Sequence, residues 1–291
     1  MFVLKKIIIQ IMLVGLSCYS LITCNAIQEL DQKKVSLDFD ELNHSTQPHK
    51  RFLALAPSHC EWVYEFKAED LLFGRSEHCD QPNQVLNIPS VGHLFPPKLE
   101  QILKLEPSDV LMIEGHIELK KKLEQLGINV YQIQAKSLND ILEQSQKIGQ
   151  LLGHQKEAKT WLKSAQAKLK QIKKRRIQRR VMIEIWFSPL TIAGASSYMG
   201  DLLKQAGGET LKTSRDWPTV SLEEVIHYNP EVLFMSTPAL YKQLISATPP
   251  QAWQGIDAVK NGRVYLLEGR LARPGPRIID ELLWLQQMLN K

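Results

Sequence analysis

One helix-to-strand phrase occurs twice in this chain, and that repeat limits its possible folds more than any other feature. Residues 98–113 read KLEQILKLEPSDVLMI, and residues 221–236 read SLEEVIHYNPEVLFMS. Leu99-Glu100 answers to Leu222-Glu223, and Pro107 and Pro230 each stand seven residues past the glutamate. An apolar strand follows both times, over 110–113 and 232–235. A short helix feeding an apolar strand is the repeating unit of a mainly parallel sheet. Two copies far apart in one chain predict two α/β halves built to the same plan.

The rest of the pattern agrees. RFLALAPS (51–58), DLLFGRS (70–76), DVLMIEG (109–115) and INVYQI (128–133) read as strands. SHCEWVYEF between the first two suits a helix with Ser58 as N-cap and Glu61 at the capping-box distance. After Ser137 the apolar period becomes helical, with a stop at Gly153 and a second helix expected over 155–176, about 33 Å long. Alternation then resumes through RVMIEIW, SSYMGDLLKQAGG, the second phrase, EVLFMS, RVYLLEG and a closing helix. The expected architecture is therefore α/β: two lobes with mainly parallel sheets, 51–136 and 179–291, joined through a long interlobe helix within 137–178. Ligand-facing loops belong at the carboxyl ends of the strands.

The amino terminus reads as a secretory signal. Lys5 and Lys6 precede an apolar run, Ile7 to Leu16, which weakens through Ile22 and ends in TCNA. The run is short for a membrane span, and Ser17, Tyr19 and Ser20 interrupt it. Cleavage is expected after Ala26, with a lipid anchor on Cys24 as the alternative, and residues 27–50 read as a tether. Losing Lys5 and Lys6 lowers the formal charge of +5 by two. Six of the remaining cations sit in KKRRIQRR (173–180), read as a solvated helix end, so no distributed basic face offers itself to nucleic acid. Only Cys60 and Cys79 of the four cysteines survive such cleavage. In an oxidising compartment they are expected to pair, two free thiols being the alternative.

The order and spacing of several segments carry a resemblance over nearly all of residues 51–291: APSHCEW, GRSEHCDQP before IPSVG, the paired Leu-Glu phrases, SPLTIAG with SYMGDLLKQAGG, WPTVSLEE, and DAVKNGRVYLLEG. Together they resemble the iron-siderophore and cobalamin class of periplasmic substrate-binding proteins, the receptors of ABC importers, and above all its cobalamin-binding members. The resemblance implies a monomeric, non-enzymatic receptor whose stiff helix joins two lobes around a ligand cleft. It also implies docking of Glu100 and Glu223, one per lobe, onto arginines of an inner-membrane permease. No cofactor is implied; the ligand itself is expected to be a cobalt- or iron-containing chelate.

Candidate ligand residues follow from that resemblance and from the strand ends: Ser58, His59, His78, Gln81, His93, Trp186, Trp217, Arg270 and Arg273. Trp217 matches an aromatic that packs against the corrin, and Arg273 matches a cleft-facing arginine. Trp62, Trp186 and Phe187 are further sources of apolar area, core packing being the alternative. The chain departs from the cobalamin binders at Gln81, at Gly92-His93 and near Glu114, where those proteins have aromatics. Instead His59, His78, His93 and His116 stand at successive strand ends of the first lobe. Imidazoles bind cobalt, iron and zinc well, so these four are candidates for direct contact with a metal centre; solvated loop histidines are the alternative. No nucleophile elbow or phosphate-binding loop supports an enzyme, and an exported hydrolase is the remaining alternative of a different class.

Overall fold

The computed structural model describes residues 50–93, 97–172 and 179–291. The expected signal segment, the tether and most of the basic run lie outside the described residues. The first sheet contains β1 (Phe52–Ala54), β2 (Leu72–Arg75), β3 (Asp109–Met112) and β4 (Asn129–Gln132), all parallel in the order β2-β1-β3-β4. The second contains β5 (Arg179–Trp186), β6 (Thr191–Ile192), β8 (Val232–Met235) and β9 (Val264–Leu266) in the order β6-β5-β8-β9. There β6 runs antiparallel, and a short β7 (Gly208–Glu209) pairs with the start of β5. The central strands are buried along their whole length, which is why they read as unbroken apolar runs: a parallel sheet covered on both faces needs apolar side chains on both.

Ten α-helices connect and cover these strands among the described residues. In the first half they are α1 (Pro57–Glu65), α2 (Leu99–Leu103) and α3 (Ile117–Gln125). Two 15-residue helices, α4 (Leu138–Leu152) and α5 (Gln155–Leu169), follow. The second half adds α6 (Tyr198–Ala206), α7 (Leu222–Tyr228), α8 (Pro238–Leu244), α9 (Asp257–Lys260) and α10 (Ile278–Asn290). Ser137 caps α4 by accepting from the Asp140 amide, and Gly153 ends it at φ 78, a conformation costly for other residues. At the α4–α5 corner a side chain on Gly149 would collide with Ala158, so the close crossing needs glycine. α5 closes at Leu169 rather than at residue 176, so it spans roughly 22 Å rather than the expected 33 Å.

Helix α1 begins two residues earlier than its sequence suggests, with Ala56 rather than Ser58 at the N-cap. Pro57 takes the first helical position, where its fixed φ and missing N–H cost nothing, and Ala56 precedes it without a side-chain cap. Ser58 is thus inside the helix, and Glu61 is freed from capping for another task.

Three apolar clusters account for the core. One lies outside the first sheet and one outside the second. The largest runs from Phe52 and Leu111 of the first sheet, through Ile141 and Ile148 of α4 and Leu282 of α10, to Val181 and Phe234 of the second. Continuous burial of this kind holds both sheets in one unit, Lys50–Lys291.

The repeated phrase occupies equivalent places. α2 leads into β3 and α7 into β8, each the third strand in its sheet's order. The likeness reaches the backbone: Glu106 and Asn229, each just before the conserved-spacing proline, take positive φ of 46° and 48°. Asparagine tolerates that region better than glutamate does, so the first copy keeps the turn at some cost.

Candidate functional site

A cavity of about 700 Å³ lies where the strand ends of both sheets converge. The first half contributes Ala56–His59 after β1, Ile113 after β3 and Ile133–Ala135 after β4. The second half contributes Ile185 of β5, Ser236 after β8, the Asp216-Trp217 loop, and a segment between Gly269 and Pro274 after β9. Carboxyl ends of strands face the ligand space, as expected for a parallel sheet. The walls are mostly apolar, with Ser58, Gln134, Asp216, Arg270 and Arg273 as polar points. Such a volume and lining suit a bulky small molecule with an apolar body and a polar edge.

The aromatic wall is held from behind. Trp217 is 41% exposed and meets Tyr198 edge-on, with ring centroids 5.9 Å apart at 72°. The Tyr198 hydroxyl donates to the Leu271 carbonyl at 2.6 Å, and burial raises its pKa, so it stays protonated as that donor. The Leu271 amide donates to the buried Glu281 carboxylate, also at 2.6 Å. Leu271 itself sits at φ 62, so these two bonds secure a loop in an unfavourable backbone conformation. The Trp217 loop rests on Gly194, whose amide donates to Asp216 at 2.9 Å and where any Cβ would meet the Arg215 carbonyl. In the same half, buried Glu184 accepts from the Ser236 and Thr237 amides and from the Thr237 hydroxyl, fixing the loop after β8.

Arg273 does more than line the cavity. Its Nη1 lies 3.1 Å from Glu61 Oε1 and 2.7 Å from Asp80 Oδ1, and its Nη2 donates to the His78 carbonyl at 3.4 Å. Arg277 also donates to Glu61, at 3.0 Å from Nη2. Both arginines come from the second half and both carboxylates from the first. Arg273's hydrogen bond holds the Asp80 carboxyl below its ordinary pKa. Arg270 lines the cavity with its guanidinium 5.1 Å from the Trp284 ring, a cation–π distance.

Of the nine expected ligand residues, the structure gathers Ser58, His59, Trp217, Arg270 and Arg273 around the cavity. His78, Gln81, His93 and Trp186 lie outside it. Gln81 lines a smaller cavity of about 350 Å³ behind Arg277. Trp186, at the end of β5, points to solvent and donates to the Ser188 carbonyl at 2.9 Å, and neighbouring Phe187 is likewise exposed. Trp62 is core, packed against Phe66 and Trp161.

The four histidines do not converge. His59 is buried and bonds through Nε2 to the Ile133 carbonyl at 3.1 Å; desolvation pushes its pKa down to about 4. His116 is buried at the start of α3, where desolvation also lowers its pKa. His78 and His93 are exposed and neighbour one another. Cys60 and Cys79 form a disulfide, with Cα atoms 6.2 Å apart, that ties α1 to the loop carrying His78. Glu100 and Glu223 are both exposed, at the second position of α2 and α7, and neither has a partner among the described residues.

Several residues that shape the site escaped sequence reasoning. Tyr198 reads as an ordinary apolar start to α6, Glu61 as a capping residue, and Asp80 as part of a polar loop. Only the strand-end rule, applied to the 216–217 and 269–274 loops together, brings them near one place.

Comparison with known proteins places this geometry. The periplasmic binding protein family model matches residues 53–271. The vitamin B12-binding protein of Vibrio vulnificus is 27% identical over 245 residues, covering 80% of this chain and 87% of that protein. The crystal structure of the periplasmic vitamin B12 binding protein of Vibrio cholerae superposes with a TM-score of 0.69 at 25% identity, over 83% of this chain and 96% of that one. A periplasmic haem-binding protein of the same organism gives a TM-score of 0.72 at 18% identity, over 84% and 100%, a likeness of fold. Its members are binding components of ABC importers rather than enzymes, which implies a permease partner. From the β1 strand to the loop beneath Tyr198, this chain belongs to the periplasmic binding protein family.

Proposed function

We propose that the protein captures a corrinoid in the cleft between its two sheets and delivers it to the permease of an ABC importer, acting as a monomer in the periplasm. The observation that carries this reading is the Trp217–Tyr198 wall facing the polar points Arg270, Arg273 and Gln134 around one cavity. A flat macrocycle presents an apolar face to the indole and a fringe of amides to the arginines. Vitamin B12-binding proteins are among the relatives that align over most of the chain.

A second observation supports corrinoid over haem. His59 is the only imidazole on the cavity wall among the described residues; its Nε2 is engaged by the Ile133 carbonyl and its Nδ1 is buried, so neither nitrogen is presented to the cavity. That favours a chelate arriving with its own axial ligands over one whose iron needs an imidazole from the protein. The export route expected from residues 1–26 and the docking of Glu100 and Glu223 belong to the same proposal.

Isothermal titration of the purified protein against cobalamin, haem and a ferric siderophore tests it. Saturable one-to-one binding of cobalamin is expected. Saturable binding of haem or siderophore with none of cobalamin overturns the ligand assignment while leaving the receptor reading intact.

A further inference from the structure

Away from the cleft, Glu77, His78 and His93 each present a ligand atom, and the three atoms lie within 4.8 Å of one another. One Glu77 carboxylate oxygen contacts His93 Nδ1 and lies 3.6 Å from His78 Nε2. The two imidazole rings are 6.3 Å apart between centroids, tilted at 40°. All three side chains are exposed, and none lines the cavity.

Their backbone is held firmly. Arg75 donates to the Pro89 carbonyl at 3.0 Å, Val91 to Arg75 at 2.8 Å, and Glu77 to Gly92 at 2.9 Å, joining residues 75–77 to 89–92. The Cys60–Cys79 disulfide pins the chain two residues beyond Glu77. Gly92 sits at φ 87 with its amide bonded to the Ser90 hydroxyl at 3.1 Å, a turn that delivers His93 to the same side as His78.

We propose that Glu77, His78 and His93 bind one divalent first-row transition ion, zinc or copper(II), on the rim of the first half. Two imidazoles with one carboxylate form a borderline donor set that suits these ions and not calcium or magnesium, which take oxygen ligands. Ligand atoms around tetrahedral zinc stand about 3.4 Å apart, given bonds of about 2.0–2.1 Å. The side chains reach that spacing by small rotamer adjustments, which their exposure makes cheap, His93 moving slightly away from the Glu77 carboxylate. Water fills the remaining positions. Occupancy has a consequence for the cleft, because the His78 carbonyl and the Asp80 carboxylate hold Arg273. An ion gripping His78 stiffens the loop that clasps that arginine.

Titration of untagged protein with zinc, and separately with copper(II), against a competing chromophoric chelator tests the site. One ion per chain is expected, with a zinc-dependent rise in Tm. The H78A/H93A double variant should weaken binding by roughly tenfold or more and abolish the rise in Tm, and Glu77→Gln should weaken it less. His227→Ala, an exposed histidine elsewhere, should change neither. X-ray absorption of the zinc complex should show two imidazole nitrogens. Absence of saturable uptake, or unchanged affinity in the double variant, overturns the proposal.

Discussion

Arg273 of the second half and Glu61 of the first are joined by an ion pair at 3.1 Å across 212 residues of chain, beside the ligand cavity. Glu61 is 5% exposed and is shared with Arg277. Removing Glu61 leaves Arg277 without its carboxylate and Arg273 with Asp80 alone, so Glu61→Ala should destabilise the protein by about 1.5–3 kcal/mol. Arg277→Ala, which spares both ion pairs of Arg273 and leaves a half-exposed position, should cost clearly less. Urea denaturation of the two variants checks the order; equal losses would mean that Glu61 gains nothing from sharing.

Histidine 59 gives the stability a definite pH dependence. Its pKa is about 4 in the folded protein because burial disfavours the imidazolium, against 6.5 for a solvated ring. The unfolded chain therefore takes up a proton at pH 6.5 while the folded one resists until about pH 4. Stability should fall as the pH drops through that window, by roughly 3 kcal/mol in full. His116 contributes in the same direction. His59→Gln keeps a nitrogen donor for Ile133 without the titration, so its unfolding free energy should vary less between pH 7 and pH 5. An unchanged slope in that variant would assign the effect to other groups.

Two tryptophans make a controlled comparison for the cleft. Trp217 stands on the cavity wall, whereas Trp186 faces solvent outside it. Trp217→Ala should weaken affinity for the bound chelate by about 1–3 kcal/mol with little change in Tm. Trp186→Ala should leave affinity where it was. Equal losses from both would place the ligand beyond the cavity described here.

The disulfide closes a loop of about 20 residues, and a cross-link of that size contributes about 3 kcal/mol by chain entropy. Thiol titration of the unfolded, unreduced protein should find neither Cys60 nor Cys79 free. The C60A/C79A variant should lose stability without losing the fold, since both positions lie inside a well-filled cluster.

Local signals in the sequence carried the fold, because they act within a few residues. Gly153 as the stop of α4 and the unbroken apolar strands each declare themselves from neighbours alone. Ser58 is legible by position, since a strand end in a parallel sheet opens toward the ligand, whereas Trp217 and Arg273 are legible through the resemblance to the cobalamin binders. Side-chain direction was not legible. His59 and His78 both follow strands of the first sheet, yet one turns inward to the Ile133 carbonyl and the other outward to Glu77. Glu61 was misjudged for a related reason: its capping-box spacing is local, while its partners arrive from the far end of the chain.

Glu100 and Glu223 pose the question that the repeated phrase raised. Each occupies the second position of its helix, each is exposed, and neither has a partner among the described residues. Capping does not account for them. In α7 the reciprocal cap is made by Ser221 with Glu224, and α2 starts at Lys98 with no side-chain cap at all. A favourable helix dipole explains one such glutamate but not the recurrence of the whole phrase, down to the positive φ before each proline. Two free carboxylates at equivalent places are suited to paired arginines of a permease, through charge-assisted contacts that set orientation. The E100A/E223A variant should keep the solution affinity of the wild type while receptor-stimulated ATP hydrolysis by the permease falls, more than in either single variant. Reversal of both to arginine should lower it further, because like charges then meet. Loss of ligand affinity in the double alanine variant, with normal transport at saturating ligand, would assign these glutamates to the cleft instead.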